Sequence, residues 1–155
     1  MAIREIVTVG DEILNKKCRK VEKFDEKLHL LLDDMRETLI KADGVGLAAP
    51  QVAVLPRVCI VDVGDEDGVI ELINPEINSE KGEQTDVEGC LSAPGKYGYV
   101  TRPNEVTVKA QDRYGKEFTI SGTELKARAF CHEIAHLDGV LYISRADEIF
   151  DEDNN

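Results

Sequence analysis

At 155 residues, with 42% hydrophobic and 32% charged side chains, the chain has the composition of a soluble globular protein able to bury one sizeable core. Its formal net charge of −12 excludes broad electrostatic binding to nucleic acid, which requires clustered Lys and Arg. No apolar stretch is long enough to span a bilayer and no charged-then-apolar signal pattern opens the chain, so a cytoplasmic protein without a membrane partner is expected. The cysteines at 18, 59, 90 and 131 form no CxxC pair, and reduced thiols are expected rather than disulfides.

Residues Ile3 to Lys23 read as irregular, with one short helical turn at Asp11–Leu14. From Asp25 to Ala42, Leu28, Leu31, Leu32, Met35 and Leu39 recur at helical spacing, with Asp25 as N-cap and Gly44 where the helix stops. Gly44 to Gln51, two glycines and a proline among small residues, reads as a tight helix-to-strand connection. Strand signals follow at Val58–Val63 and Val69–Ile73, joined by the acidic turn Gly64–Gly68. Glu76 to Gly98 reads as irregular. Val106, Val108 and Ala110, then Phe118 and Ile120, alternate about a turn at Asp112–Gly115 and predict an antiparallel hairpin. Ser121 with Glu124 matches a capping box, with Thr123 as the alternative cap, and the second helix is expected to run to about Leu137, with Gly139 ending it. The fold class is therefore α+β: antiparallel strands packed around a central helix with a second, N-terminal helix. Residues 1–150 are expected as one catalytic domain and 151–155 as a short acidic tail.

The chemistry sits on the second helix, in Cys131-His132-Glu133-Ile134-Ala135-His136. Residues four apart on a helix differ by about 40° in azimuth, so His132 and His136 point the same way and can share one metal ion. Glu133 can then reach a water on that metal, the H-E-x-x-H arrangement of metal-dependent hydrolases. Leu125, Ala129, His132 and His136 share one helix face, which makes the surroundings small and apolar. A catalytic site needs a third ligand and one open position. Tyr142 stands where a metzincin would carry its third histidine, and too little chain follows His136 to build a lobe around Glu148 or Glu152. Cys131 points about 100° away from His132. Cys59 lies in an apolar run, and His29 reads as an ordinary histidine of the first helix. Cys90, in the glycine-flanked run Glu88-Gly89-Cys90-Leu91-Ser92, is the strongest third ligand.

Three separate motifs, Gly44-Val45-Gly46-Leu47-Ala48-Ala49-Pro50-Gln51, Glu88-Gly89-Cys90-Leu91-Ser92 and His132-Glu133-Ile134-Ala135-His136, stand in the order in which they occur in the peptide deformylases, which the chain resembles from end to end. That bacterial family removes the formyl group from the N-terminal methionine of new proteins. The resemblance implies that Cys90, His132 and His136 bind one divalent metal. Fe²⁺ is the typical physiological ion of the family, with Zn²⁺ or Ni²⁺ able to replace it. It implies Glu133 as general base, and the Gln51 side-chain amide and the Leu91 backbone N–H as oxyanion donors. It implies a formyl-methionyl peptide lying extended along the backbone near Gly46 and Gly89, by addition of a strand. Leu125 and Ala129 are the candidates for the pocket of the methionine side chain. Transient association with the ribosome is expected of an enzyme acting on nascent chains. Two positions depart from the family pattern. Cys131 stands where glutamine is common. Ala135 stands where aspartate is usual, and an aspartate there would be expected to pair with Arg102, so that Ala135→Asp raises thermal stability. Competing readings are a small zinc peptidase acting on ordinary peptide bonds and an inactive metal-binding relative; neither explains both Glu133 and Gln51.

Overall fold

In the computed structural model of the chain, residues 2–146 and 148–151 are described. A 3₁₀ turn at Glu12–Asn15 precedes helix α1 (Glu26–Ala42). Asp25 caps α1, its Oδ1 accepting from the Leu28 N–H at 3.1 Å. The helix closes on Asp43 in the left-handed region, one residue before the glycine singled out as the stop.

Strands β1 (Gly46–Ala48), β2 (Val58–Val61), β3 (Ile70–Lys81), β6 (Glu105–Gln111) and β7 (Glu117–Thr123) form one antiparallel sheet in the order β1-β2-β3-β6-β7. Between them, β4 (Gln84–Cys90) and β5 (Ala93–Arg102) pair with β8 (Glu148–Asp151) in a second sheet, in the order β4-β5-β8. Helix α2 (Leu125–Leu137) packs against the larger sheet, with Phe130, Ile134 and Leu137 meeting Cys59, Val61 and Leu72. Successive side chains of a strand point to opposite faces. Val58, Ile60 and Ile73 accordingly face the other way and cover the α1 stripe Leu28–Leu32–Met35–Leu39. Strand β2 is buried on both faces because a helix covers each of them, which is why it reads as an unbroken apolar run. The α+β class with two helices among antiparallel strands is as expected.

Three local expectations are corrected. The connection Gly44–Gln51 contains the edge strand β1 and then a 3₁₀ turn (Ala49–Val52). The stretch Glu76–Gly98, expected to be irregular, holds the end of β3, all of β4 and most of β5. The outer end of β3 is largely exposed, and the inward positions of β4 and β5 include Glu88, Gly98 and Arg102, so no apolar alternation marks these strands. Ser121 does not cap α2: strand β7 runs on to Thr123, and the Ser121 hydroxyl lies 2.8 Å from that of Thr107 on β6. Of the expected tail, Asp151 closes β8 and pairs with Lys96, while residues 152–155, Glu152 included, lie outside the described residues.

A cluster of charges ties α1 to the β6–β7 hairpin. Arg36 and Arg113 both donate to Glu71, Arg113 also reaches Asp33, and His29 Nε2 lies 2.7 Å from the Arg113 carbonyl. Burial works to raise the Glu71 pKa, but hydrogen bonds from Arg113 and Arg36 outweigh it and hold the carboxyl below its ordinary value. Its stabilising effect is therefore present above the unfolded-state pKa of about 4.3 and is lost as pH falls through the lower folded-state value. Glu71→Gln is expected to cost about 1.5–3 kcal/mol at pH 7, with the difference from the parent shrinking below about pH 4 in urea unfolding.

Candidate metal and active site

The edges of the two sheets meet at the site. Strand β1 ends one sheet and β4 ends the other, and between them lies a cleft of about 450 Å³ whose walls include Gly46, Gly89, Cys90 and Leu91. Helix α2 supplies its floor through Leu125, Arg128, Ala129, His132 and Glu133. Cys90, His132 and His136 come together, their ligand atoms all within 4.8 Å of one another, and Cys90 Sγ stands 3.3 Å from His136 Nε2. Cys131 turns away into the apolar cluster beneath α2, where burial pushes its thiol up to about 11. Cys59 is fully buried, as its apolar run predicts.

His132 has a fixed backing. His132 donates through Nδ1 to Glu88 Oε1 at 2.9 Å, which turns its Nε2 toward the cleft. Glu88 also accepts two hydrogen bonds from Arg102, at 2.9 and 3.0 Å, and one from Arg128. Burial works to raise the Glu88 pKa, but His132 and Arg102 outweigh it and take the carboxyl down to about 2. The Tyr142 ring stacks against that of His132, centroids 5.8 Å apart, and its hydroxyl donates to the Lys96 carbonyl. Tyr142 thus packs a ligand from the position where a metzincin would supply one.

The electrostatics suit a cation. Burial takes the His136 pKa down to about 3, leaving a neutral imidazole. Burial works the same way on His132, but Glu133, the Cys90 thiol and Glu88 outweigh it and raise His132 to about 10. The acidic groups around His132 thus favour positive charge there. Burial pushes Glu133 up to about 7, near the pH at which a proton is most readily taken and given back. Its Oε1 is buried without a hydrogen-bond partner among the described residues, and its Oε2 lies 3.9 Å from His132 Nε2. A thiol and two imidazoles converging beside an unpartnered carboxylate fit one divalent metal with a proton acceptor next to it.

Gln51 is 1% exposed, and its amide orientation is fixed at both ends. Its Oε1 accepts from the Ala48 N–H at 2.9 Å, and its Nε2 donates to Ser92 Oγ at 3.1 Å and lies 3.5 Å from Cys90 Sγ. The Leu91 N–H has no backbone acceptor among the described residues. Gly46 sits against Glu133: a Cβ there would stand 2.6 Å from its Oε2. At Gly89 a Cβ would meet the Tyr97 ring at 2.8 Å. Leu125 stands at the cleft mouth, 50% exposed, and Ala129 is buried below it. His136 lies behind the cleft wall, fully buried, and of the expected helix face it is the one member that does not line the cleft.

The sequence reading missed Arg128 and Ser92. Arg128 lies three residues after Leu125 and four before His132, so helical spacing alone puts an arginine on the metal face. It is buried, and its Nε and Nη2 have no hydrogen-bond partner among the described residues. Arg102 already has a carboxylate partner. Its fork is taken by Glu88, so Ala135 leaves no buried guanidinium without a carboxylate. Ala135→Asp is therefore expected to add only what a partly exposed ion pair adds, about 0–1 kcal/mol, or under about 4 °C in a thermal melt.

Residues 3–151 match the family model described as polypeptide deformylase. The chain is 59% identical over 145 residues to the peptide deformylase of Alkaliphilus metalliredigens, covering 94% of this chain and 97% of that one. It is 56% identical over 145 residues to the peptide deformylase of Caldicellulosiruptor bescii, covering 94% of this chain and 86% of that one. The crystal structure of peptide deformylase from Thermotoga maritima superposes with a TM-score of 0.92 at 38% identity, covering 96% of this chain and 100% of that one.

Proposed function

The chain belongs to the peptide deformylase family, metallohydrolases that remove the N-formyl group from nascent polypeptides, and from that premise we propose how its residues divide the work. Cys90, His132 and His136 would hold the metal, with Fe²⁺ the ion in the cell; thiolate and imidazole suit this ion as well as Zn²⁺ or Ni²⁺. A divalent ion held there supplies Lewis acidity toward water and the formyl oxygen. Glu133 takes the proton of the attacking water on its carboxylate and passes it to the leaving amine, so that formate and a free N-terminus result. Gln51 Nε2 and the Leu91 N–H donate to the oxygen on which negative charge develops.

The observation that carries the reading is the convergence of Glu133, Gln51 and Cys90 on one cleft between two sheet edges. Strands β1 and β4 each leave one edge unpaired in their own sheet. A peptide lying between them adds as a strand through its main chain, which tolerates any downstream sequence. Gly46 and Gly89 let that backbone approach, and Leu125 with Ala129 receives the methionine side chain. Main-chain recognition suits a cytoplasmic enzyme that meets chains emerging from the ribosome in transient encounters. Metal analysis of protein purified without oxygen tests the site. One Fe²⁺ per chain is expected, falling to a small fraction in Cys90→Ala; full retention in that variant would exclude Cys90 as a ligand.

A further inference from the structure

The segment Ala2–Val9 belongs to neither sheet, yet its main chain is held at both ends. Near α1, the Ala2 N–H donates to Asp34 Oδ1 at 2.7 Å and the Arg4 N–H to Thr38 Oγ1 at 2.9 Å. At the site, the Val7 N–H donates to the Gln51 carbonyl and the Val9 N–H to the Ser92 carbonyl, each at 2.8 Å. Gln51 follows the edge strand of the five-stranded sheet, and Ser92 lies in the β4–β5 turn of the three-stranded one. Among the described residues the two sheets share no ladder. The side chains then close a ring, since Gln51 Nε2 donates to Ser92 Oγ at 3.1 Å. Both residues are buried, whereas the Val9 side chain is 46% exposed, so what position 9 contributes here is its N–H.

The ring has a consequence for the amide. With Oε1 held by the Ala48 N–H, the Gln51 NH₂ must face the cleft. Ser92 Oγ takes one of its two hydrogens and leaves the other on the side of Cys90 Sγ, 3.5 Å away. The neighbouring Leu91 N–H is carried by the same turn as Ser92. We propose that the main chain of Val7–Val9 and the Ser92 hydroxyl are positioning elements that hold the Gln51 amide and the Leu91 N–H in register as a pair of oxyanion donors. This rests on the oxyanion roles proposed above for Gln51 and Leu91. A donor displaced by a fraction of an ångström loses much of its transition-state contribution while ground-state binding is little affected.

The test is a double-mutant cycle on the metal-loaded full chain. Ser92→Ala and Ser92→Thr are made directly. The Val9 N–H is replaced by an ester oxygen in a full-length chain assembled by ligation of a synthetic segment at Cys18. Formate release by the parent, and its fall in Gln51→Ala, check the underlying reading first. With both established, Ser92→Ala and the Val9 ester are expected to lower kcat at least fivefold with KM within twofold, and Ser92→Thr to recover most of kcat. In the Gln51→Ala background Ser92→Ala is expected to lower kcat less than twofold further, because its hydroxyl acts through the Gln51 amide, while the Val9 ester keeps only the part of its effect that acts through the Leu91 N–H. A fall below fivefold with Gln51 present, or the same fall in its absence, would overturn the proposal. Melting temperatures accompany each variant, and if the ester chain does not fold the Ser92 cycle decides alone.

Discussion

Glu133→Ala is expected to lower kcat for a formyl-methionyl peptide by about 10²–10⁴-fold, the range for loss of a positioned general base, while KM stays within about twofold. The expectation comes from where the carboxylate stands. Glu133 is buried, its Oε1 has no hydrogen-bond partner, and burial carries its pKa up to about 7. A buried carboxyl oxygen without a hydrogen-bond partner is costly for the fold, and the proton-accepting role proposed for Glu133 gives a reason for that cost. Because Glu133 is not among the converging ligand atoms, the variant is expected to retain one metal ion per chain. Steady-state kinetics with parallel metal analysis separates the two roles. Loss of metal together with turnover would make Glu133 a structural support of the ligands, and unchanged turnover would remove it from the reaction.

The second large effect is on stability. Glu88→Ala is expected to destabilise the protein by about 3–5 kcal/mol, the usual result of removing one partner from a buried ionic cluster. One carboxylate satisfies Arg102 through two hydrogen bonds, Arg128 through one and His132 Nδ1 through another. Without it two buried guanidinium groups face each other uncompensated. At about 2–4 °C per kcal/mol for a domain of this size, the melting temperature is expected to fall by about 6–20 °C. Metal affinity is expected to fall about 10–100-fold as well, because Glu88 fixes the orientation of the His132 ring. Thermal melts with and without added metal measure both. A melting temperature within about 2 °C of the parent would mean that the two arginines find other partners.

Helix α1 was legible because its apolar stripe repeats every turn and both of its ends carry cap residues. The β6–β7 hairpin was legible because Val106, Val108 and Ala110 alternate against one buried face. The metal helix was legible because two histidines four apart admit few other readings. Strands β4 and β5 were hidden for a physical reason: their inner positions carry the ion pair Glu88–Arg102, so the side facing the core is charged. A buried carboxylate and its arginine look, in sequence, like two solvated residues. The 12-residue strand β3 hid its outer half in the same way, since that half is largely exposed and held by its ladder to β6. Within the site, local spacing reached His132, Glu133 and His136, and the glycine-flanked loop reached Cys90. The role of Gln51 came only with the family resemblance, because no local pattern says that a loop glutamine will have both ends of its amide pinned. Ser92 and the segment at Val7–Val9 lay beyond either route, since their hydrogen bonds join parts of the chain that neighbour each other only after folding.

A hydrolase for the formyl group of a peptide's N-terminus must release formate. Protein loaded with Fe²⁺ without oxygen, or with Ni²⁺, is incubated with a formyl-Met peptide and with the same peptide unblocked, and formate and free amine are both quantified. One formate is expected for each new amine from the formylated peptide, with no cleavage of the unblocked one. No formate from metal-loaded protein, or scission of ordinary peptide bonds in its place, would contradict that function.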